Sequence, residues 1–238
     1  MELRHQARLA VDLGFDGVGL SEHHAGFPGY LPGPLWFGAS LLAELPRGFY
    51  AALPILLPLR SVAGVVEELA WLDARFPRRV VAGFAAGYFE DDFEAFGVPF
   101  ADRFSRFRRM FEQVAVELSG EGKIENLRRD QAVVQARGRI GLVMNTSGPG
   151  NAQLAGRLGA GITPVQMSVE GYRELLRTYR AAGGPGPVSP PAANRRRRGV
   201  RRGRERRPGP HARPASGPPP GSRPRTPPVS GPRPRRAP

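Results

Sequence analysis

Over roughly the first 180 residues the apolar positions alternate between helical spacing and short continuous runs. Leu3, Ala7, Ala10 and Val11 fall at i, i+4, i+7 and i+8 and stop before Gly14, which predicts a first helix with one core-facing stripe. Asp16 to Leu20 predicts a short strand ending at Ser21-Glu22-His23-His24. Past a loop rich in Gly and Pro (Gly26 to Gly33), a helix is expected from about Leu35 to Leu45 and a buried strand from about Tyr50 to Leu57. Val62, Val65, Val66, Leu69 and Leu72 mark the next helix, Arg79 to Phe84 the next strand, and Phe104, Phe107, Phe111, Val114 and Leu118 the stripe of another helix. Arg139 to Asn145 is strand-like and leads to a helix opening near Pro149, where the missing N–H of proline costs nothing. Gly161 to Gln166 is read as a short strand, and Ser168 as the cap of a helix whose inner face is Tyr172, Leu175, Leu176 and Tyr179. Five strand-helix units after a lone helix predict an α/β fold with a parallel sheet covered by helices, because continuous apolar strands are buried on both faces. A barrel and a doubly wound sheet satisfy this pattern equally.

Composition divides the chain near Val188. Residues 188–238 hold 15 of the 35 basic residues, all Arg, against one acid, Glu205, and so carry a net +14. Residues 1–187 hold 20 basic and 20 acidic groups, so this part gives no charge argument for nucleic acid or an anionic membrane as partner. In residues 188–238, Pro, Arg, Gly and Ala supply 40 of 51 residues, with no Leu, Ile, Met or aromatic side chain to build a core, and disorder is expected. One reading is a basic arm that neutralises nucleic-acid phosphates. The other is an out-of-frame translation of a GC-rich gene, since those four residue types have GC-rich codons. The use of 19 Arg to one Lys, Lys123, in residues 1–187 favours the second. Cysteine is absent, which excludes a disulfide scaffold, a thiol nucleophile and cysteine-ligated metal. No apolar run approaches the ~20 residues of a membrane span, and Met1 opens on a polar stretch rather than a signal peptide, so the cytoplasm is the expected compartment.

Two places carry candidate chemistry. His23 and His24 stand at the carboxyl end of a strand, where α/β folds place their sites; adjacent residues of an extended chain point to opposite faces, so at most one points to a barrel axis. Two neighbouring histidines are not a chelating pair, and no metal is expected. A pair that only satisfies loop backbone groups is an equally open reading. The second place is Asn145-Thr146-Ser147-Gly148-Pro149-Gly150, a strand end just before a helix, where unpaired N–H groups attract phosphate and Gly permits close approach. A dinucleotide fingerprint would need a third Gly where Gln153 stands and an acid where Gln166 and Met167 stand, so a single terminal phosphate is the better ligand; an ordinary capped turn is the alternative. The acidic stretch Glu90, Asp91, Asp92 and Glu94 reads as a solvated loop and helix start, and Phe89, Phe93 and Phe96 suggest that it folds down on apolar side chains.

Taken in order, several stretches resemble the bacterial luciferase-like family of flavin-dependent monooxygenases and reductases. They are Leu13-Gly14-Phe15-Asp16-Gly17-Val18 with Ser21-Glu22-His23-His24, then Leu56-Leu57-Pro58-Leu59-Arg60 with Glu67-Glu68-Leu69-Ala70-Trp71-Leu72-Asp73. Gly83-Phe84-Ala85-Ala86-Gly87-Tyr88 with Asp92-Phe93-Glu94-Ala95-Phe96-Gly97, and Ser147-Gly148-Pro149 with Leu154-Ala155-Gly156-Arg157, complete the set. The resemblance implies an incomplete (β/α)8 TIM barrel over residues 1–187, about strands two to six, that binds FMN or the deazaflavin F420 at the carboxyl ends of its strands. It implies that His23 faces the flavin ring as a proton donor or acceptor, that His24 supports it, and that Thr146 to Gly150 hold the flavin phosphate. The family often has a cis peptide at the end of its third strand, a position that aligns with Leu53-Pro54. Some members place an Arg near the phosphate where Ala85 and Ala86 stand here. The implied activity is monooxygenation of a small organic substrate with reduced flavin and O2, or F420-dependent hydride transfer. The implied partners are that substrate, a flavin reductase supplying reduced flavin, and a second subunit in a homodimer. The rivals are an inactive fragment and a nucleic-acid-binding protein acting through residues 188–238.

Overall fold

The computed structural model describes residues 2–186; the expectations for residues 188–238 lie outside these. After α1 (Glu2–Asp12) come β1 (Gly17–Leu20), α2 (Pro34–Glu44), β2 (Phe49–Leu56), α3 (Val62–Arg75) and β3 (Val80–Ala85). They are followed by α4 (Glu90–Glu94), α5 (Arg103–Ser119), α6 (Glu125–Arg129), α7 (Gln131–Ala136), β4 (Gly141–Asn145), α8 (Pro149–Arg157), β5 (Gly161–Thr163) and α9 (Val169–Ala181). The five strands form one sheet in the order β1-β2-β3-β4-β5, every neighbouring pair parallel. A doubly wound sheet reverses its order at a switch point, whereas a barrel wall adds each strand beside the last. The unbroken order therefore selects the barrel wall. Among the described residues, no helix is long and apolar enough to cross a membrane.

The two faces of the sheet differ. Toward the helices, Tyr50, Ala52, Val80, Ala82, Phe84 and Met144 join one large core with Val66, Leu69, Phe107 and Phe111. The opposite, concave face carries a small cluster of Ala51, Val81 and Val143 with Phe49 and Leu53 against it. Leu53 lies so close to Gly83 that a Cβ at Gly83 would overlap its Cδ1, which is why glycine stands in β3 there. Glycine at position 38 serves the outer face in the same way, letting α2 close on the ring of Tyr50.

Helix ends and loops account for the differences from the sequence reading. Leu3, Phe104 and Tyr172 were expected on core stripes but are exposed, because each lies in the first turns of its helix, beyond the edge of the packed surface. Phe104 instead carries the Arg103 guanidinium over its ring, 4.2 Å from the centroid. Strand β5 stops at Thr163 rather than Gln166, whose φ of 37° breaks extended geometry. The short helices α6 and α7 carry too few turns for a periodic stripe; α7 is held at its start by Asp130 Oδ1, which accepts from Ala132 N and Val133 N at 2.7 and 3.1 Å. Ser61 and Ser168 cap α3 and α9 by accepting from Gly64 N and Gly171 N.

The Tyr50 hydroxyl, buried between α2 and β2, donates to Pro34 O at 2.5 Å. Burial pushes its pKa well above the ordinary 10.0, and that of Tyr179 moves the same way. A neutral phenol is thus kept in the folded state while the unfolded chain ionises, so stability held below pH about 10 falls as the pH rises beyond it. Tyr50→Phe should flatten this alkaline loss in urea melts taken from pH 8 to 11, at a cost of about 1 kcal/mol at neutral pH from the lost hydrogen bond. An unchanged alkaline slope in the variant would assign the loss to other groups.

Candidate active site

The alternation of β1 sets the faces at its end. Gly17 and Gly19 lie on the concave side, against Phe49 and Ala51, so continued alternation sends His23 to that side and Glu22 to the helix side. Glu22 is 1% exposed and its carboxylate gathers three donors. Oε2 accepts from Leu56 N at 2.6 Å, Oε1 pairs with the Arg60 guanidinium, and Oε1 lies 3.0 Å from His24 Nε2. The Glu22 N–H donates to Pro54 O at 3.1 Å, so Glu22 ties the end of β1 to the end of β2 through both backbone and side chain.

His23, 7% exposed, is held by a residue from further along the chain. Asp92, on α4 and 0% exposed, places Oδ2 2.7 Å from His23 Nδ1 and accepts from His24 N through Oδ1 at 2.7 Å. The Tyr88 hydroxyl lies 3.3 Å from His23 Nε2. Phe27 stacks on the His23 ring at 4.2 Å and 15°, and Tyr30, Tyr88 and Phe89 approach its edges. His24 turns the other way, packing on Phe96 and joining Arg60 and Glu68 in the wall of a cleft of about 340 Å3. The expectation of a solvated acidic stretch therefore holds for its neighbours and not for Asp92, which is enclosed. One signal marked it: Phe89, Asp92, Phe93 and Phe96 fall at i, i+3, i+4 and i+7, and place the acid on the apolar stripe.

The Leu53-Pro54 peptide at the end of β2 is cis, and Leu53 packs over Gly83 on the concave face. Asn145 ends β4 beside Thr163, and Thr146 N donates to Thr163 O at 3.0 Å. Ser147 Oγ donates to Val165 O and accepts from Val165 N, so this hydroxyl is spent on the neighbouring loop. Thr146, 6% exposed, accepts from Gly148 N at 3.1 Å. Gly148 is the N-cap of α8 with no side chain to bond the helix start, and Pro149 occupies the first helical position. The first N–H groups of α8, from Gly150 on, have no partner within their helix. A Cβ at Gly148 would meet nothing nearer than Thr146 Oγ1 at 4.0 Å, which leaves room in front of these donors. Arg108 of α5, which sequence reasoning missed, bonds Asn151 Oδ1 at 3.1 Å beside Gly150. Free N–H groups, an open approach and a nearby guanidinium suit a terminal phosphate such as that of FMN or F420. The histidine pair and this stretch share the carboxyl edge of the sheet, with β2 and β3 between β1 and β4.

A sequentially ordered parallel sheet with its ionisable side chains gathered at the carboxyl edge defines an α/β enzyme scaffold of the barrel class. The sequence matches the family described as luciferase-like monooxygenase over residues 1–195, and the chain belongs to that family. The monooxygenase RslO1 from Streptomyces bottropensis is similar at 25% identity and a TM-score of 0.67, over 76% of this chain and 59% of that one. A type II Baeyer-Villiger monooxygenase, the oxygenating constituent of 3,6-diketocamphane monooxygenase from Pseudomonas putida in complex with FMN, shares the fold at 16% identity and a TM-score of 0.63, over 77% and 58% of the two chains. An F420-dependent secondary alcohol dehydrogenase, in complex with an F420-acetone adduct, shares it at 18% identity and a TM-score of 0.60, over 78% and 61%. The chain thus spans about three fifths of the length of each of these structures. Comparison with curated proteins gives no match.

Proposed function

We propose that this chain is the flavin-binding part of a monooxygenase that uses reduced flavin and O2 to oxygenate a small organic substrate. The observation that carries the reading is the enclosed His23, held by Asp92 at the carboxyl edge of a sheet whose sequence belongs to the luciferase-like family. When bound, reduced flavin supplies the electrons for the reaction, which side chains cannot. The first turn of α8, with Thr146 and Arg108, takes the flavin phosphate. His23 Nε2 accepts or returns a proton near the reacting centre, and Phe27, Tyr30, Tyr88 and Phe89 keep water from it. A separate reductase supplies the reduced flavin, and a second copy of the chain is the expected oligomeric partner. Hydride transfer with F420 is the competing reading, supported by the dehydrogenase that shares the fold.

Gly148→Asp tests the phosphate site. The added side chain finds open space, and Asp caps a helix at least as well as Gly, so the melting temperature should hold or rise slightly. The new carboxylate would stand beside the phosphate, and like-charge repulsion of about 4 kcal/mol at 4 Å near a protein surface predicts flavin affinity weaker by at least ~100-fold. Fluorescence titration of both proteins with FMN and with F420 reads the loss, and the tighter of the two ligands chooses between the readings. Equal binding by wild type and variant would leave the segment as a turn only.

A further inference from the structure

We propose that Asp92 is the positioning residue that fixes the tautomer of His23, holding the ring proton on Nδ1 and leaving Nε2 as the acceptor. Its place in catalysis rests on the flavin reading above; the tautomer itself does not.

Which atoms can donate decides the tautomer. The backbone N–H of His24 is an obligatory donor, and at 2.7 Å it claims Asp92 Oδ1. That bond fixes the turn of the carboxylate, so Oδ2 must face His23 Nδ1, again at 2.7 Å. A carboxylate offers acceptor oxygens only, and Nδ1 therefore carries the hydrogen. Asp92 is 0% exposed, so no bulk water competes for either bond. On the far side of the ring, among the described residues, the Tyr88 hydroxyl lies 3.3 Å from Nε2 and can donate to the lone pair that this tautomer leaves there. The remaining neighbours of the ring, Phe27, Tyr30 and Phe89, meet it with aromatic faces and edges. One buried carboxylate from the segment after β3 thus sets both the direction and the protonation of a side chain at the end of β1.

Asp92→Asn keeps the shape and reverses the logic. The amide oxygen must still accept from His24 N–H, which turns the amide N–H2 toward His23 Nδ1. Nδ1 then has to accept, and the ring proton moves to Nε2. Long-range 1H–15N correlation spectra of the 15N-labelled full chain, recorded without flavin and at alkaline pH, report the tautomer directly. His23 is assigned by the signals lost in His23→Gln. The expected result is the Nδ1–H pattern in the wild type and the Nε2–H pattern in Asp92→Asn, with unchanged circular dichroism. An Nε2–H pattern in the wild type overturns the proposal, as does an Nδ1–H pattern retained in the folded variant. Should Asp92→Asn fail to fold, Asp92→Ala is the second variant, in which loss of the Nδ1–H preference supports the proposal and its retention overturns it. A protein that bound no flavin would still give these spectra, so the two readings fail separately.

Discussion

In the monooxygenase proposed above, His23→Ala should slow flavin-dependent turnover on the order of 100- to 10,000-fold, the range that a positioned acid-base group contributes, while leaving flavin affinity close to that of the wild type. The asymmetry follows from where the ring sits. His23 belongs to the end of β1 and touches Asp92, Tyr88 and aromatic rings, whereas the proposed phosphate donors stand at the end of β4. Removing the imidazole deletes the proposed proton carrier and leaves the proposed anchoring groups in place. His24→Ala should be milder, because its ring is bonded to Glu22 and packed on Phe96, away from the concave face. Stopped-flow turnover at saturating reduced flavin, with affinity titrated separately, checks both variants. A larger kinetic loss at His24 would reverse the assignment of faces.

The second large effect is on stability. Glu22→Ala should cost about 3 kcal/mol, since it empties a fully buried carboxylate position and strands the Leu56 N–H, while Arg60 loses one partner and keeps Glu68 and Pro32 O. For a chain of this size that lowers the melting temperature by on the order of 10 °C. Glu22→Gln keeps an oxygen for Leu56 N and should lose less. Thermal melts followed by circular dichroism measure the difference, and a loss under about 1 kcal/mol in Glu22→Ala would mean that water takes the place of the carboxylate at Leu56 N.

Most of the architecture was legible because it rests on local patterns. The stripes of α3 and α5 and the apolar runs of β2, β3 and β4 announce themselves within one element, and each was found close to its observed bounds. The choice between barrel and doubly wound sheet was not, since it depends on which strand lies beside which, a property of residues far apart such as Tyr50 and Val80. The site divides in the same way. His23 and His24 stand out as a pair at a strand end, and the Phe89, Phe93 and Phe96 stripe marks Asp92 as the inward acid of the four between Glu90 and Glu94, but nothing local names His23 as its partner. Asp92 is 69 residues from His23, and only the assembled sheet brings them together. Glu22 was legible in part: it continues the helix-facing alternation of Val18 and Leu20, a pattern that foretells burial without naming Arg60 as its partner.

Helix α4 has only five residues, too few to persist as a helix in water. Its hold on the protein comes from Phe93, fully buried in a satellite cluster with Leu56 and Leu59 that Phe100 covers. Asp92 is the preceding residue, so the grip on His23 is only as lasting as the seating of that one phenyl ring. Transient opening of this small cooperative unit would release the imidazole without unfolding the sheet. Amide exchange in α4 and the lifetime of the assembled site are thereby a single quantity, governed by how long the Phe93 ring stays seated.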